Sequence, residues 1–229
     1  MNTIRLILAL ALACPAITSA AGAGRYPWLT DLDEAREIAA GEGKPMLVWF
    51  TSTMQGRSPL CRYLSAELFS TPDFESWAEE KLVRLRLDFN VKGDNEDEEL
   101  RKKAYLEALK KRYKANGLPM VLVMAPDGTV TGRYKGYKRG GAAFYFGRLK
   151  SAVEAAERHQ ESWVKKMERK GYRTWTGRKG NKIFARLLRY LEGELLLVEP
   201  DGRKFRASEK NLSDEDRLWI ASQKSKRGL

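Results

Sequence analysis

The 229-residue chain is predicted to fold as an alternating α/β domain followed by a small all-β barrel with a terminal helix. Three observations predict this. Between residues 26 and 160, apolar runs and amphipathic segments alternate in the order α-β-α-β-α-β-β-α. Beyond residue 170, four or five short β-type runs follow one another at roughly ten-residue spacing. The charge divides at the same place: residues 1–130 hold 17 basic and 18 acidic side chains, and residues 131–229 hold 25 and 12. The formal charge of +12 therefore belongs to the second half. A 43% hydrophobic and 31% charged composition suits a globular chain and excludes a disordered one. With one His and two Cys, a self-contained zinc site and a disulfide-dense scaffold are excluded. A Ser-His-Asp hydrolase would rest on His159 alone.

Each element has its own signal. Thr30 or Asp31 caps a first helix with Leu32, Ala35, Ile38 and Ala39 on one face, closed by Gly41 and Gly43. Met46–Phe50 is a continuous apolar run, as in a strand buried on both faces. Ser58-Pro59 pairs a natural N-cap with a natural first helical residue, and that helix is expected to reach Phe69. Thr71-Pro72 repeats the pairing. Val83–Phe89 alternates apolar and polar residues as a strand. The acidic run Asp94–Glu99 suits the start of a helix that Gly117 closes. Pro119–Ala125 is another buried strand, and Pro126-Asp127-Gly128 turns it into a hairpin with Thr129–Tyr137. A long helix starts near Gly141, carries Phe144, Leu149 and Val153, and passes Trp163. Residues 161–170 read as a basic helix end or a linker. Strands are expected within 173–176, 182–191, 194–198 and 203–207. Ser213 caps a final helix, with Leu218, Trp219 and Ile220 inward and residues 223–229 as a basic tail.

Residues 1–20 read as an export signal, with Arg5, an apolar stretch from Leu6 to Ile17, and small residues Thr18-Ser19-Ala20 for cleavage. The apolar run falls short of the roughly 20 residues that span a bilayer. The alternatives are an uncleaved anchor, or lipidation at Cys14, where Ala11 holds the place usual for Leu. The expected location is periplasmic or secreted, with Cys61 as the thiol that remains.

Residues 26–160 resemble the thioredoxin superfamily, specifically exported thioredoxin-like proteins. The resemblance rests on Gly43-Lys44-Pro45 before Leu47–Thr51, on Glu67–Phe74, on Leu87-Asp88-Phe89, and on Tyr113–Pro119 before an apolar strand. Asp127-Gly128 and Gly136-Tyr137 complete it. The resemblance implies a cis proline at Pro119 facing a Cys-x-x-Cys motif. This chain has Ser58-Pro59-Leu60-Cys61 there, after a loop, Ser52–Arg57, about two residues longer than usual for the family. Thiol–disulfide exchange needs one thiolate to attack and a second thiol to resolve the mixed disulfide, and Ser58 cannot do either. Cys61 has two readings. A place in the first turn of a helix, with Arg57 and Arg62 near in sequence, favours a reactive thiol; the frequent burial of free Cys favours an inert one.

Residues 171–222 resemble the Sla homology domain, a small SH3-like barrel. The carrying residues are Arg173-Thr-Trp-Thr, Ala185-Arg-Leu, Leu195–Gly202, Leu212–Asp216 and Trp219-Ile220. The resemblance implies protein or peptide binding.

The expected function is a protein- or peptide-binding module on a thioredoxin fold without its dithiol; the alternative is a monothiol oxidoreductase or isomerase using Cys61. No cofactor and no metal is expected: the acidic run Asp94–Glu99 lacks the spacing of a calcium loop. His159, among Glu154, Glu157, Arg158 and Glu161, reads as part of a solvated face. Lys165, Lys166, Arg169, Lys170 and Arg173 are expected to form a basic surface. Its counterpart would be lipid headgroups or another anionic surface, with nucleic acid disfavoured.

Overall fold

The computed structural model describes residues 28–54 and 58–227. The expected export signal, Cys14 and Arg57 lie outside the described residues. The first sheet contains β1 (Met46–Thr51), β2 (Val83–Asp88), β3 (Met120–Met124) and β4 (Val130–Lys135), in the order β2-β1-β3-β4. β1 runs parallel to β2 and antiparallel to β3, and β3 and β4 form the expected hairpin. Every residue of β1 and β3 is buried, which explains their unbroken apolar runs.

Helices cover both faces. Successive β1 side chains alternate between two cores. Leu47 and Trp49 pack with Val121, Val123, Phe69, Phe74 and Leu149. Met46, Val48 and Phe50 pack with Leu85, Leu122, Leu106, Leu109 and Leu32. The second layer comes from α1 (Leu32–Glu42) and α4 (Glu96–Arg112). The first comes from α2 (Pro59–Leu64) with a following π turn at Ser65–Phe69, from α3 (Pro72–Lys81), and from α5 (Ala142–Glu168). Asp31 caps α1 through the Asp33 and Glu34 N–H groups. Asn95 caps α4 through that of Glu98. Gly43, left-handed at φ 67°, ends α1, whereas Gly41 lies inside it. α4 ends at Arg112, short of Gly117.

Several sequence expectations change. The Arg84 side chain is buried, although strand alternation pointed it outward; residues 28–30 cover that edge, with Leu29 bridging to Leu85 and the Trp28 ring 5.7 Å from the Arg84 guanidinium. Leu218, expected inward, is 71% exposed, and Phe144 of the long helix is 73% exposed. Of the two readings of residues 161–170, the structure has the basic helix end: α5 continues through Glu168 without a break.

The second unit is a sheet of β5 (Tyr172–Thr176), β6 (Lys182–Leu191), β7 (Glu194–Val198) and β8 (Lys204–Ser208), then α6 (Asp214–Arg227). Its strands form an antiparallel meander, β5-β6-β7-β8. The expected closed barrel does not form among the described residues, because β5 and β8 do not pair; an isolated bridge between Gly177 and Leu212 links the sheet to the segment before α6. Trp175, Ala185, Leu195, Leu197, Leu212 and Ile220 make its core. The expected basic tail is instead α6 as far as Arg227.

Candidate functional site around Ser58, Cys61 and Pro119

The sequence places Ser58, Cys61 and Pro119 far apart in the chain; the fold brings them together. Pro59 at the first helical position starts α2, so Cys61 falls in the opening turn, its N–H bonded to the Ser58 carbonyl at 3.2 Å. The Leu118–Pro119 peptide is cis, as the family resemblance implied. Ser58 does not cap α2 with its side chain. Its hydroxyl instead donates to the Leu118 carbonyl at 3.4 Å and accepts from the Cys61 thiol at 3.1 Å. The hydroxyl therefore links the thiol to the backbone that precedes Pro119.

Cys61 is a free cysteine and only 3% exposed. Leu60, between the two in sequence, is exposed at 36%, as is Met54 of the preceding loop at 40%. This end of the sheet thus presents apolar side chains while the thiol lies beneath. No second thiol is close among the described residues, so the arrangement has an acceptor hydroxyl where a dithiol cycle needs another sulfur.

Glu67, in the π turn, accepts hydrogen bonds from Tyr137 Oη and the Gly140 N–H, both at 2.7 Å. These bonds hold its carboxyl below the usual carboxylate range, and the contact ties the helix bearing Cys61 to the loop before α5. Sequence reasoning missed this clamp, because its partners are some seventy residues apart. It also misread His159. The ring is not simply solvated: Nε2 lies 2.7 Å from Asp127 Oδ2, joining α5 to the β3–β4 turn.

The expected basic surface is only partly a surface. Lys165, Lys166, Arg169 and Lys170 are exposed at the end of α5. Arg173 is not: its side chain is 23% exposed, pairs with Asp216 at 2.7 Å, and lies over both Trp175 and Trp219. Asp216, itself buried, also accepts from the Thr176 N–H at 2.6 Å and from the Ser213 hydroxyl. Among the described residues no group of three or more His, Cys, Asp or Glu side chains could hold a metal ion, and no helix is long and apolar enough to cross a membrane.

No match was found among curated proteins. Residues 32–144 match the family model of the thioredoxin-like domain. Among solved structures, a DsbH oxidoreductase is 21% identical, with a TM-score of 0.48 over 67% of this chain and 94% of its own. A thioredoxin from Thermus thermophilus is 19% identical, with a TM-score of 0.43 over 56% of this chain and 87% of its own. The C-terminal domain of DsbD from Neisseria meningitidis, in its oxidised form, is 19% identical, with a TM-score of 0.39 over 53% and 99%. The order of elements around β2-β1-β3-β4 agrees with the family match: residues 32–144 form a thioredoxin-like α/β domain.

Proposed function

We propose that the chain is an exported binding protein: the surface beside Cys61 and Pro119 holds an extended polypeptide, and the Sla-like C-terminal unit adds a second protein contact. The observation that supports this reading is the Ser58–Cys61 pair. A hydroxyl 3.1 Å from a buried thiol stands where a Cys-x-x-Cys motif has its first sulfur. Such a pair cannot be oxidised to a disulfide or release a mixed disulfide from within, so the thioredoxin scaffold keeps its peptide-facing surface without the dithiol cycle.

The second reading is monothiol exchange at Cys61 with an external thiol as resolving partner. Its place in the first turn of α2 favours it. Insulin reduction and refolding of a scrambled-disulfide substrate, measured for the wild type and Cys61→Ser, separate the two. The binding reading expects both proteins at the background rate, with unchanged retention of an unfolded polypeptide. Activity that vanishes in Cys61→Ser would overturn it.

A further inference from the structure

A second surface lies away from Cys61 and is independent of the proposal above. Residues 162–191 hold ten basic side chains and one acidic one, Glu168. Of the ten, Arg173 is the one paired with a carboxylate among the described residues. Lys166, Arg169 and Lys170 are exposed at the end of α5. The chain then turns through Gly171, where a Cβ would meet Arg186 Cδ at 3.5 Å, so this basic end abuts β6.

From Arg186 onward, β6 continues the surface. Its pairing with β7 sets Arg186 opposite Val198, Arg189 opposite Leu196 and Leu191 opposite Glu194, with Leu188 the extra residue of a bulge. Paired residues share a face, and the inward face is taken by Ala185, Leu195 and Leu197. Arg186, Arg189 and Leu191 therefore point away from the core. Leu188 and Leu191 are 42% and 52% exposed. Glu192 and Glu194 at the tip leave the patch strongly positive.

We propose that this patch docks on an anionic lipid bilayer, with the basic side chains on headgroups and the two leucines at the headgroup–acyl boundary. Charge alone would serve any polyanion. The apolar groups decide between them. Single-stranded nucleic acid is gripped by free aromatic faces, but Trp163, Tyr172 and Phe184 are half-buried and packed together, with centroids 5.6 and 6.0 Å apart. The groups left free are aliphatic, and these gain from entering a membrane and nothing from a phosphate backbone.

The test is sedimentation of the full chain with vesicles of phosphatidylcholine alone or mixed with phosphatidylglycerol, at low and high salt; the neutral vesicles account for binding through residues 6–17. The expected result is retention on the mixed vesicles at least about ten-fold above the neutral ones, weakening as salt shortens the screening length. Lys166→Glu/Arg169→Glu/Lys170→Glu is expected to abolish that excess. Leu188→Ser/Leu191→Ser is expected to lower it several-fold while its melting temperature, as a check of folding, stays unchanged. Equal retention on both vesicle types overturns the proposal. So does a leucine variant that binds like the wild type, or single-stranded DNA that displaces the protein from mixed vesicles and binds equally to the leucine variant.

Discussion

Replacing Ser58 with Cys tests whether one atom separates this chain from a dithiol protein. The Ser58 Oγ to Cys61 Sγ distance is 3.1 Å, and a disulfide needs about 2.05 Å between sulfurs. The approach required is therefore about 1 Å, within reach of side-chain rotation across the opening turn of α2. In a Cys14→Ser background, Ser58→Cys is expected to show two titratable thiols when reduced and none after treatment with a small-molecule disulfide. The parent retains its single thiol, which is expected to react slowly until the protein is denatured because Cys61 is only 3% exposed. Ser58→Cys is also expected to gain insulin reduction with dithiothreitol as electron source, while the parent stays at background. A variant that keeps two free thiols under oxidising conditions would refute the assignment of Ser58 to the missing position. Formation of the disulfide without any gain in insulin reduction would instead refute the idea that the surrounding surface still receives a polypeptide.

Other perturbations report on the supporting structure. Asp216→Ala leaves the Arg173 guanidinium between Trp175 and Trp219 without its carboxylate and frees the Thr176 N–H; a loss of about 3–5 kcal/mol is expected, read by chemical denaturation. Asp127 has its carboxyl raised by burial, but the bonds from His159 and the Thr129 N–H outweigh this and leave it below its ordinary value. A carboxylate lowered in the folded state stabilises above its unfolded pKa, and that contribution is lost as pH falls through the folded one. Asp127→Asn is therefore expected to be less stable than wild type at neutral pH, and the difference to narrow as pH falls below the ordinary carboxylate value, as read from melting temperatures.

The fold of the first domain was legible because its signals are local. Two continuous apolar runs marked β1 and β3, and Asp31 and Thr71 stand as caps immediately before helical periods. What escaped was set by tertiary contact. Arg84 obeys strand alternation in sequence, yet residues 28–30 close over it. Leu218 fits an apolar helical face, yet it points off the packed side. The site was half legible. Ser58-Pro59-Leu60-Cys61 and Pro119 carry a pattern, so their meeting was expected. The Ser58–Leu118 bond and the Glu67–Tyr137 clamp depend on backbone approach between distant segments, which no spacing encodes. The second sheet was read as a closed barrel because short strands with regular turns look alike whether or not the first and last pair; the register shows that here they do not.

The joint between the units follows from one helix. α5 has 27 residues, a length of about 40 Å at 1.5 Å per residue. Its first half buries Leu149, Val153 and Ala156 in the core beside β1 and β3. Its second half sets Trp163 against Phe184 of the second sheet. Between residues 148 and 170 there is neither Gly nor Pro, so the connection has no built-in hinge. On another side, Arg203 of the β7–β8 turn approaches Glu37 of α1 at 3.9 Å while holding Asp201 and Glu199, and burial raises the Glu199 carboxyl. An exposed pair at that distance contributes little, so continuity of α5 and its aromatic contact, and not charge, hold the second sheet to the first domain. It follows that the patch at Arg186–Leu191 is held to the first domain by the same helix that packs under the Cys61 layer, and Glu161→Pro, which breaks α5 beyond Ala156 and before Trp163, is expected to uncouple the two surfaces, read as limited proteolysis cutting between the two sheets.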